Sequence, residues 1–445
     1  MHSKSPSEPG LVMPDAGSSA QATTRILARL MQRFQGGAQV RLWDGRQLHY
    51  GDAPPRFTLV IKSPSLIRKL VMEHSPLSLA EAYFRGNIEI EGDFYEALSS
   101  LRRQFEELSL GWQDKAALLL DLGSVVAHDE SDDAPFSLTG LKNRFSHRHT
   151  KESDEEAIAF HYDVSNDFYG LWLDEERVYS CAYFRHPEET IHQAQRNKLD
   201  HICRKLRLQA GESLLDIGCG WGALICWAAR NYGVRAHGIT LSRKQFDFVR
   251  ERIRNENLDG RVTVELRDYR DLEGENAYDK VSSIGMFEHV GLANLAAYNA
   301  TVHRVLRPGG LFLNHGITHD TEGWERNLTT EFINRYVFPD GELDLVSNVQ
   351  RKMEHAGFEI HDVEGLRPHY ALTLRHWAAR LEANRDAAQK EVGPVNYRVW
   401  RLYLAGCALE FESGGAGIHQ ILASKRDRGR WPLPLTRDDL YPHRL

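Results

Sequence analysis

From residue 156 onward, short apolar runs alternate with longer amphipathic stretches, and this alternation constrains the fold more than any other feature. SLLDIG, VRAHGITL, VTVELRDY, KVSSIGMF and GLFLNHGI have the length and apolarity of buried strands. Between them, ALICWAARNYG, SRKQFDFVRERIRN and NLAAYNATVHRVL carry helical spacing, the first ending at the cap residue Gly233. Strands that alternate with helices build a parallel sheet covered on both faces, so a doubly wound α/β, Rossmann-like domain is predicted over 156–426. The pattern breaks at 319–343, an insertion too long for an ordinary connection and therefore expected to be a lid. It resumes with a helix and strand in LVSNVQRKMEHAGFEIHDVEGL and closes, after more helices, with the strand IHQILASKR.

The preceding residues are organised differently. Residues 1–21, rich in Ser, Pro, Gly and Ala, are expected to be a disordered leader. Residues 22–122 predict a small α+β domain: a helix at TTRILARLMQRFQ, strands at QVRLW, QLHYG and RFTLVIK, and helices at PSLIRKLVMEH and FYEALSSLRRQFEEL. A charged stretch at 123–155 reads as a linker, and 427–445 as a basic tail. The net charge of −7 argues against a nucleic-acid partner. Five scattered cysteines without metal spacing read as free thiols in a reducing cytoplasm, and no catalytic metal is predicted. His147, His149 and His201 have no partners at metal spacing and read as surface residues. No signal peptide is expected, and no run reaches the roughly 18 apolar residues of a membrane span.

The sharpest motif is LLDIGCGWG at 214–222. Gly218, Gly220 and Gly222 stand where the first strand turns into its helix, so backbone N–H groups can face a nucleotide. A dinucleotide fingerprint requires GxGxxG and an acid at the end of the second strand; here the spacing is GxGxG and that strand ends in Thr240-Leu241-Ser242. Asp216, two residues before the first glycine, completes the loop pattern of class I S-adenosylmethionine-dependent methyltransferases.

Six further blocks, HYDVSNDFY (161–169), VYSCAYF (178–184), GITLSRKQ (238–245), DYRDL (268–272), GMFEHVG (285–291) and RYVFPDG (335–341), resemble the cyclopropane-fatty-acid synthase family, related to the mycolic acid cyclopropane synthases. The resemblance covers 158–425 and implies that Thr240 and Gln245 contact the cofactor, Asp268 and Tyr269 the adenine, and Tyr179 and Ser180 the methionine end. Gln245 also fits a capping box with Ser242, which competes for the same side chain. The resemblance further implies a bound bicarbonate held by Cys181, Glu288, His315, Ile317 and Tyr370. His289 is assigned to structure.

The implied chemistry makes demands of its own. A cis alkene attacks a sulfonium methyl only when the two are held in line, and the resulting carbocation survives only without water. A buried base and aromatic walls are expected, with Tyr162, Phe168, Tyr169, Phe184, Phe332, Ile333, Tyr336, Val337 and Phe338 as candidates for the acyl slot. The expected substrate is the unsaturated acyl chain of a membrane phospholipid and the product a cyclopropane. A methylene-branched chain, a binding protein without catalysis and a small-molecule methyltransferase are the alternatives. A cytoplasmic enzyme, peripheral at the inner face of the membrane, would touch the bilayer through the basic helix 23–34 or the tail SKRDRGRW (424–431); domain packing or a subunit interface competes for the helix. The resemblance implies homodimers.

Overall fold

A computed structural model describes residues 16–73, 76–109, 111–125, 149–151, 164–322 and 341–441. The chain forms two compact units, divided between Lys142 and Asn143.

In the first unit four strands, β1 (Gly37–Arg41), β2 (Gln47–Gly51), β3 (Phe57–Ile61) and β4 (Ile88–Gly92), form a sheet of order β2-β1-β3-β4. Only the β1/β3 pair is parallel. The first helix, Ala16–Leu30, begins inside the segment expected to be a leader, because Ser19, Ala20, Ala22 and Thr23 are themselves buried. Its apolar side, including Ile26 and Leu27, belongs to the core, and Arg25 and Arg29 both bind Asp121, at 2.7 and 2.6 Å. Of the uses weighed for this helix (bilayer contact, domain packing or a subunit interface), the structure shows packing within its own domain, with Ile26 and Leu27 buried. The helices Pro76–Arg85 and Trp112–Gly123 and strand β4 were not predicted.

The second unit contains a seven-stranded sheet. Its strands are β5 (Ser213–Ile217), β6 (Arg235–Thr240), β7 (Val262–Leu266), β8 (Tyr278–Ile284), β9 (Leu306–His319), β10 (Phe358–Gly365) and β11 (Ala416–Lys425), in the order β10-β11-β9-β8-β5-β6-β7. The pairs from β9 through β7 are parallel, while β11 runs antiparallel to both its neighbours. Apolar side chains project from both faces. Leu214, Leu311 and Leu313 pack on one side with helices Ile191–Lys205 and Ala223–Tyr232; Leu215, Ile217 and Phe312 pack on the other with Leu295–Val305 and Val346–His355. This burial of both faces accounts for the near-continuous apolar runs of the sequence.

The order reverses between β5 and its neighbours β6 and β8, which opens a crevice at the carboxyl ends of these strands. Several peripheral expectations change. His201 is buried and hydrogen-bonds Glu364 at 2.9 Å; His149 is buried, with Glu342 3.7 Å away. The tail packs against the catalytic unit: Leu440 is buried, Arg207 pairs with Asp439 at 2.9 Å and Arg437 with Asp362 at 2.8 Å. Lys425 donates to the carbonyls of His303 and Leu306. Among the described residues no helix is long and apolar enough to cross a membrane. Most of the predicted linker and of the lid insertion, with Tyr162, Phe332, Ile333, Tyr336, Val337, Phe338 and His147, lies outside the described residues.

Candidate active site

The crevice is a cavity of about 130 Å³. Its floor is the turn after β5. Gly218, Gly220 and Gly222 all have positive φ, and a Cβ on Gly218 would come within 3.1 Å of the Met286 side chain. Gly222 differs in role: it precedes the helix Ala223–Tyr232, does not line the cavity, and faces the Val249 methyls at the 3.0 Å a Cβ would reach. The other predicted cofactor residues, Tyr179, Ser180, Asp216, Thr240, Gln245, Asp268 and Tyr269, line the cavity together with Gly218 and Gly220.

Each is fixed by local chemistry. Asp216 accepts from Ser282 Oγ at 2.7 Å, and burial pushes its carboxyl up to about 6. Thr240 donates to Gln245 Oε1 at 2.8 Å. Only half of the capping box forms: Ser242 Oγ accepts from the Gln245 N–H, while the Ser242 N–H goes to Thr240 Oγ1. The Gln245 side chain is therefore turned to Thr240 and the cavity rather than to the helix end. Asp268 is engaged by Arg270, whose guanidinium reaches both carboxylate oxygens at 2.8 and 2.6 Å. Tyr269 is buried edge-on to Tyr298, 5.3 Å between ring centres.

The predicted catalytic residues lie outside this lining, in two groups. Glu288 sits on the short helix Phe287–Val290 after β8, and its Oε1 accepts the Ile317 N–H from β9 at 2.7 Å. Burial pushes the Glu288 carboxyl up to about 7. His315, two residues before Ile317 and so on the same face of β9, meets Gln420 Nε2 at 3.3 Å through Nδ1. Burial and the Lys198 charge hold its imidazole well below the usual range, so it is neutral. Glu288 Oε2 and His315 Nε2 are buried and have no hydrogen-bond partner among the described residues. The second group meets at Leu366. Cys181 Sγ lies 3.8 Å from the Leu366 carbonyl, which also accepts the Tyr370 N–H at 3.1 Å. Burial drives the Cys181 thiol far above its usual range, which leaves it without nucleophilic character. The Tyr370 ring packs on Phe411, 4.6 Å between centres.

Three features escaped sequence reasoning. His289, assigned to structure, lines the cavity, as do Lys198 and Trp221. An aromatic cluster adjoins Tyr179: beside the expected wall residue Tyr169, 5.6 Å from its ring, stand Trp172 and Trp377, which sequence reasoning did not name, at 5.2 and 5.3 Å, and Trp221 stands 4.8 Å from Tyr169. The exit of the insertion is tied to the site, since the Glu342 N–H donates to the Glu288 carbonyl at 3.1 Å.

A sheet of this order, with a glycine turn and a crevice at its switch point, defines a class I S-adenosylmethionine-dependent methyltransferase. More narrowly, the chain belongs to the mycolic acid cyclopropane synthetase family, whose profile matches residues 149–421. A domain of unknown function matches residues 26–109. A Pseudomonas putida protein described as a probable fatty acid methyltransferase is 46% identical over 422 residues, 94% of this chain and 100% of its own. Cyclopropane mycolic acid synthase 1 of Mycobacterium tuberculosis is 38% identical over 279 residues, covering 60% of this chain and 96% of its own. The crystal structure of mycolic acid cyclopropane synthase CmaA1 complexed with SAH and CTAB superposes with a TM-score of 0.58 at 35% identity, over 61% of this chain and 98% of that one.

Proposed function

We propose that this enzyme transfers a methyl group from S-adenosylmethionine to the cis double bond of an unsaturated phospholipid acyl chain, and that the product is a cyclopropane. The observation that carries the reading is that two of the residues expected to hold the anion each leave a buried atom unsatisfied among the described residues, Glu288 Oε2 and His315 Nε2. Unpaired polar atoms at such depth are costly unless a small polar group completes them. A bicarbonate-sized group fits that need. When bound, S-adenosylmethionine supplies an electrophilic methyl group and bicarbonate a base for the proton lost on ring closure.

The protein's own residues then divide the work. The glycine turn, Asp216, Thr240 and Gln245 position the cofactor. Neutral His315 accepts at Nδ1 and carries its proton at Nε2, where it donates to an oxyanion. Glu288, with its carboxyl near 7, is present in both protonation states at neutral pH; it donates to the anion when protonated and accepts from its acid form when ionised. Cys181 and Tyr370 complete the pocket wall. The aromatic cluster around Tyr179 offers ring faces to cationic groups and excludes water. The boundaries 156–426 for the catalytic domain and 22–122 for a lipid- or dimer-contacting domain belong to this proposal, as do peripheral membrane contact and homodimer formation.

A second reading, in which the same cation yields a methylene-branched chain, shares this first step, and the name of the relative described as a probable fatty acid methyltransferase covers both products. The test of the shared step is mass spectrometry of unsaturated phospholipid after incubation with enzyme and S-adenosylmethionine. Gain of one CH2 per modified chain, dependent on the cofactor, supports methyl transfer to the chain; unmodified chains contradict it.

A further inference from the structure

A polar row crosses three strands of the second sheet and ends at His315. Glu364 on β10 stands opposite Gln420 on β11, and Gln420 stands opposite His315 on β9. Paired positions on neighbouring strands share one face of the sheet. That face is the one covered by the helix Ile191–Lys205. Leu422 and Leu313, two residues from Gln420 and His315, share a core cluster with Leu199 and Ile202 of this helix, and Glu364 reaches its His201 and Lys205. Gln420 and His315 are both buried.

A neutral imidazole carries one N–H, and the group facing one nitrogen decides which nitrogen holds the proton. His315 Nε2 has no partner among the described residues, and Nδ1 faces Gln420 Nε2 at 3.3 Å. A carboxamide can turn either end to its neighbour, with opposite results. Its NH2 end leaves Nδ1 bare and places the proton on Nε2. Its oxygen would draw the proton to Nδ1 and leave Nε2 a lone pair, which repels an anion. Glu364, on the other side of Gln420, would compete for the NH2 end if its charge were free. That charge is already taken up: Glu364 Oε2 accepts from His201 Nε2 at 2.9 Å and lies 2.5 Å from Nζ of the fully buried Lys205. Burial opposes ionisation of Glu364, but the His201 hydrogen bond and the Lys205 charge outweigh it and bring the carboxyl down to about 2. The NH2 end of Gln420 is thereby left to His315.

We propose that Gln420 is a positioning residue of the catalytic site: it donates to His315 Nδ1 and locks the imidazole as the Nε2–H tautomer, while the His201–Lys205–Glu364 cluster keeps the amide in that orientation. The proposal rests on the reading of His315 as a donor to the bound anion. Gln420 touches neither substrate nor cofactor in this account; it acts through His315 alone.

The test joins a tautomer measurement to a kinetic one, both on the full-length enzyme. Nitrogen–proton NMR of protein isotopically labelled in its histidine rings, with His315 assigned by the signals lost in His315→Asn, should show Nδ1 bare and Nε2 protonated. Gln420→Leu removes the amide and keeps the bulk. It should raise the bicarbonate concentration giving half-maximal turnover in degassed buffer by about tenfold, the scale of one hydrogen bond to a charged group, with S-adenosylhomocysteine affinity within about twofold of wild type. Gln420→Glu, which only accepts when ionised, should move a proton onto Nδ1. A structural role would lower the melting temperature and move none of these readouts. A wild-type His315 with its proton on Nδ1 overturns the proposal, and so does an unchanged bicarbonate requirement in a folded Gln420→Leu. If that variant does not fold, the wild-type tautomer decides alone. Wild-type turnover indifferent to bicarbonate, with Nδ1 bare, would instead sink the anion reading and leave the tautomer lock standing.

Discussion

Glu288 concentrates most of the chemistry that single residues can be asked to reveal. Glu288→Gln keeps the Oε1 acceptor for Ile317 but removes the titrating carboxyl. Turnover should fall by about 10²-fold or more, while S-adenosylhomocysteine affinity measured by calorimetry stays within about twofold. The same residue sets a pH signature. Its folded pKa is raised from 4.5 to about 7, so its contribution to stability is complete below 4.5 and is lost as pH rises through about 7. Relative to wild type, Glu288→Gln should therefore gain on the order of 2 kcal/mol in unfolding free energy between pH 5 and pH 8. Denaturant titrations at the two pH values check this; a constant difference would place Glu288 in a solvated setting. Glu288 was legible because an acid directly after an apolar strand demands an explanation. Lys198 was not, because a lysine in a helix with many polar neighbours looks solvated, and only the tertiary packing reveals that Gln195, Asn197, Lys198 and Lys205 are all buried.

At the scale of elements, the site depends on close approach between β9 and the helix Phe287–Val290. A Cβ on Gly316 would meet the Phe287 ring at 2.2 Å, so this strand can lie against that helix only with glycine there. Gly316→Ala should destabilise the enzyme by about 1–3 kcal/mol and reduce turnover further than that loss explains, since moving Phe287 moves Glu288. Thermal melts and rates measured well below the melting point separate the two effects; unchanged activity in a folded variant would contradict the coupling. The alternation of elements in the catalytic domain was readable because strands buried on both faces are apolar throughout. Strand β4 was not: IEIEG is short, lies at the sheet edge and carries two glutamates. The helix Trp112–Gly123 leaves Trp112, Leu119 and Leu120 exposed, so its pattern lacks the one-sided apolarity that marks a surface helix. Gly222 was grouped with the ligand-facing glycines by its place in the loop, whereas its packing against Val249 is a contact between distant helices.

For the whole molecule, two compact units predict two separable unfolding events. Asp121→Ala removes the shared partner of Arg25 and Arg29 and should lower the stability of the first unit by about 1–2 kcal/mol. Calorimetry should show the lower midpoint in one transition only, with S-adenosylhomocysteine binding intact; a shift of both would make the units one cooperative body. The central claim concerns what the molecule makes. The most direct measurement is proton NMR of lipids extracted after incubating the enzyme with S-adenosylmethionine and vesicles of a dioleoyl phospholipid. Cyclopropane protons far upfield, formed only with active enzyme and lost in Glu288→Gln, are the predicted result. Vinylidene protons downfield, or an unchanged lipid spectrum, would contradict it.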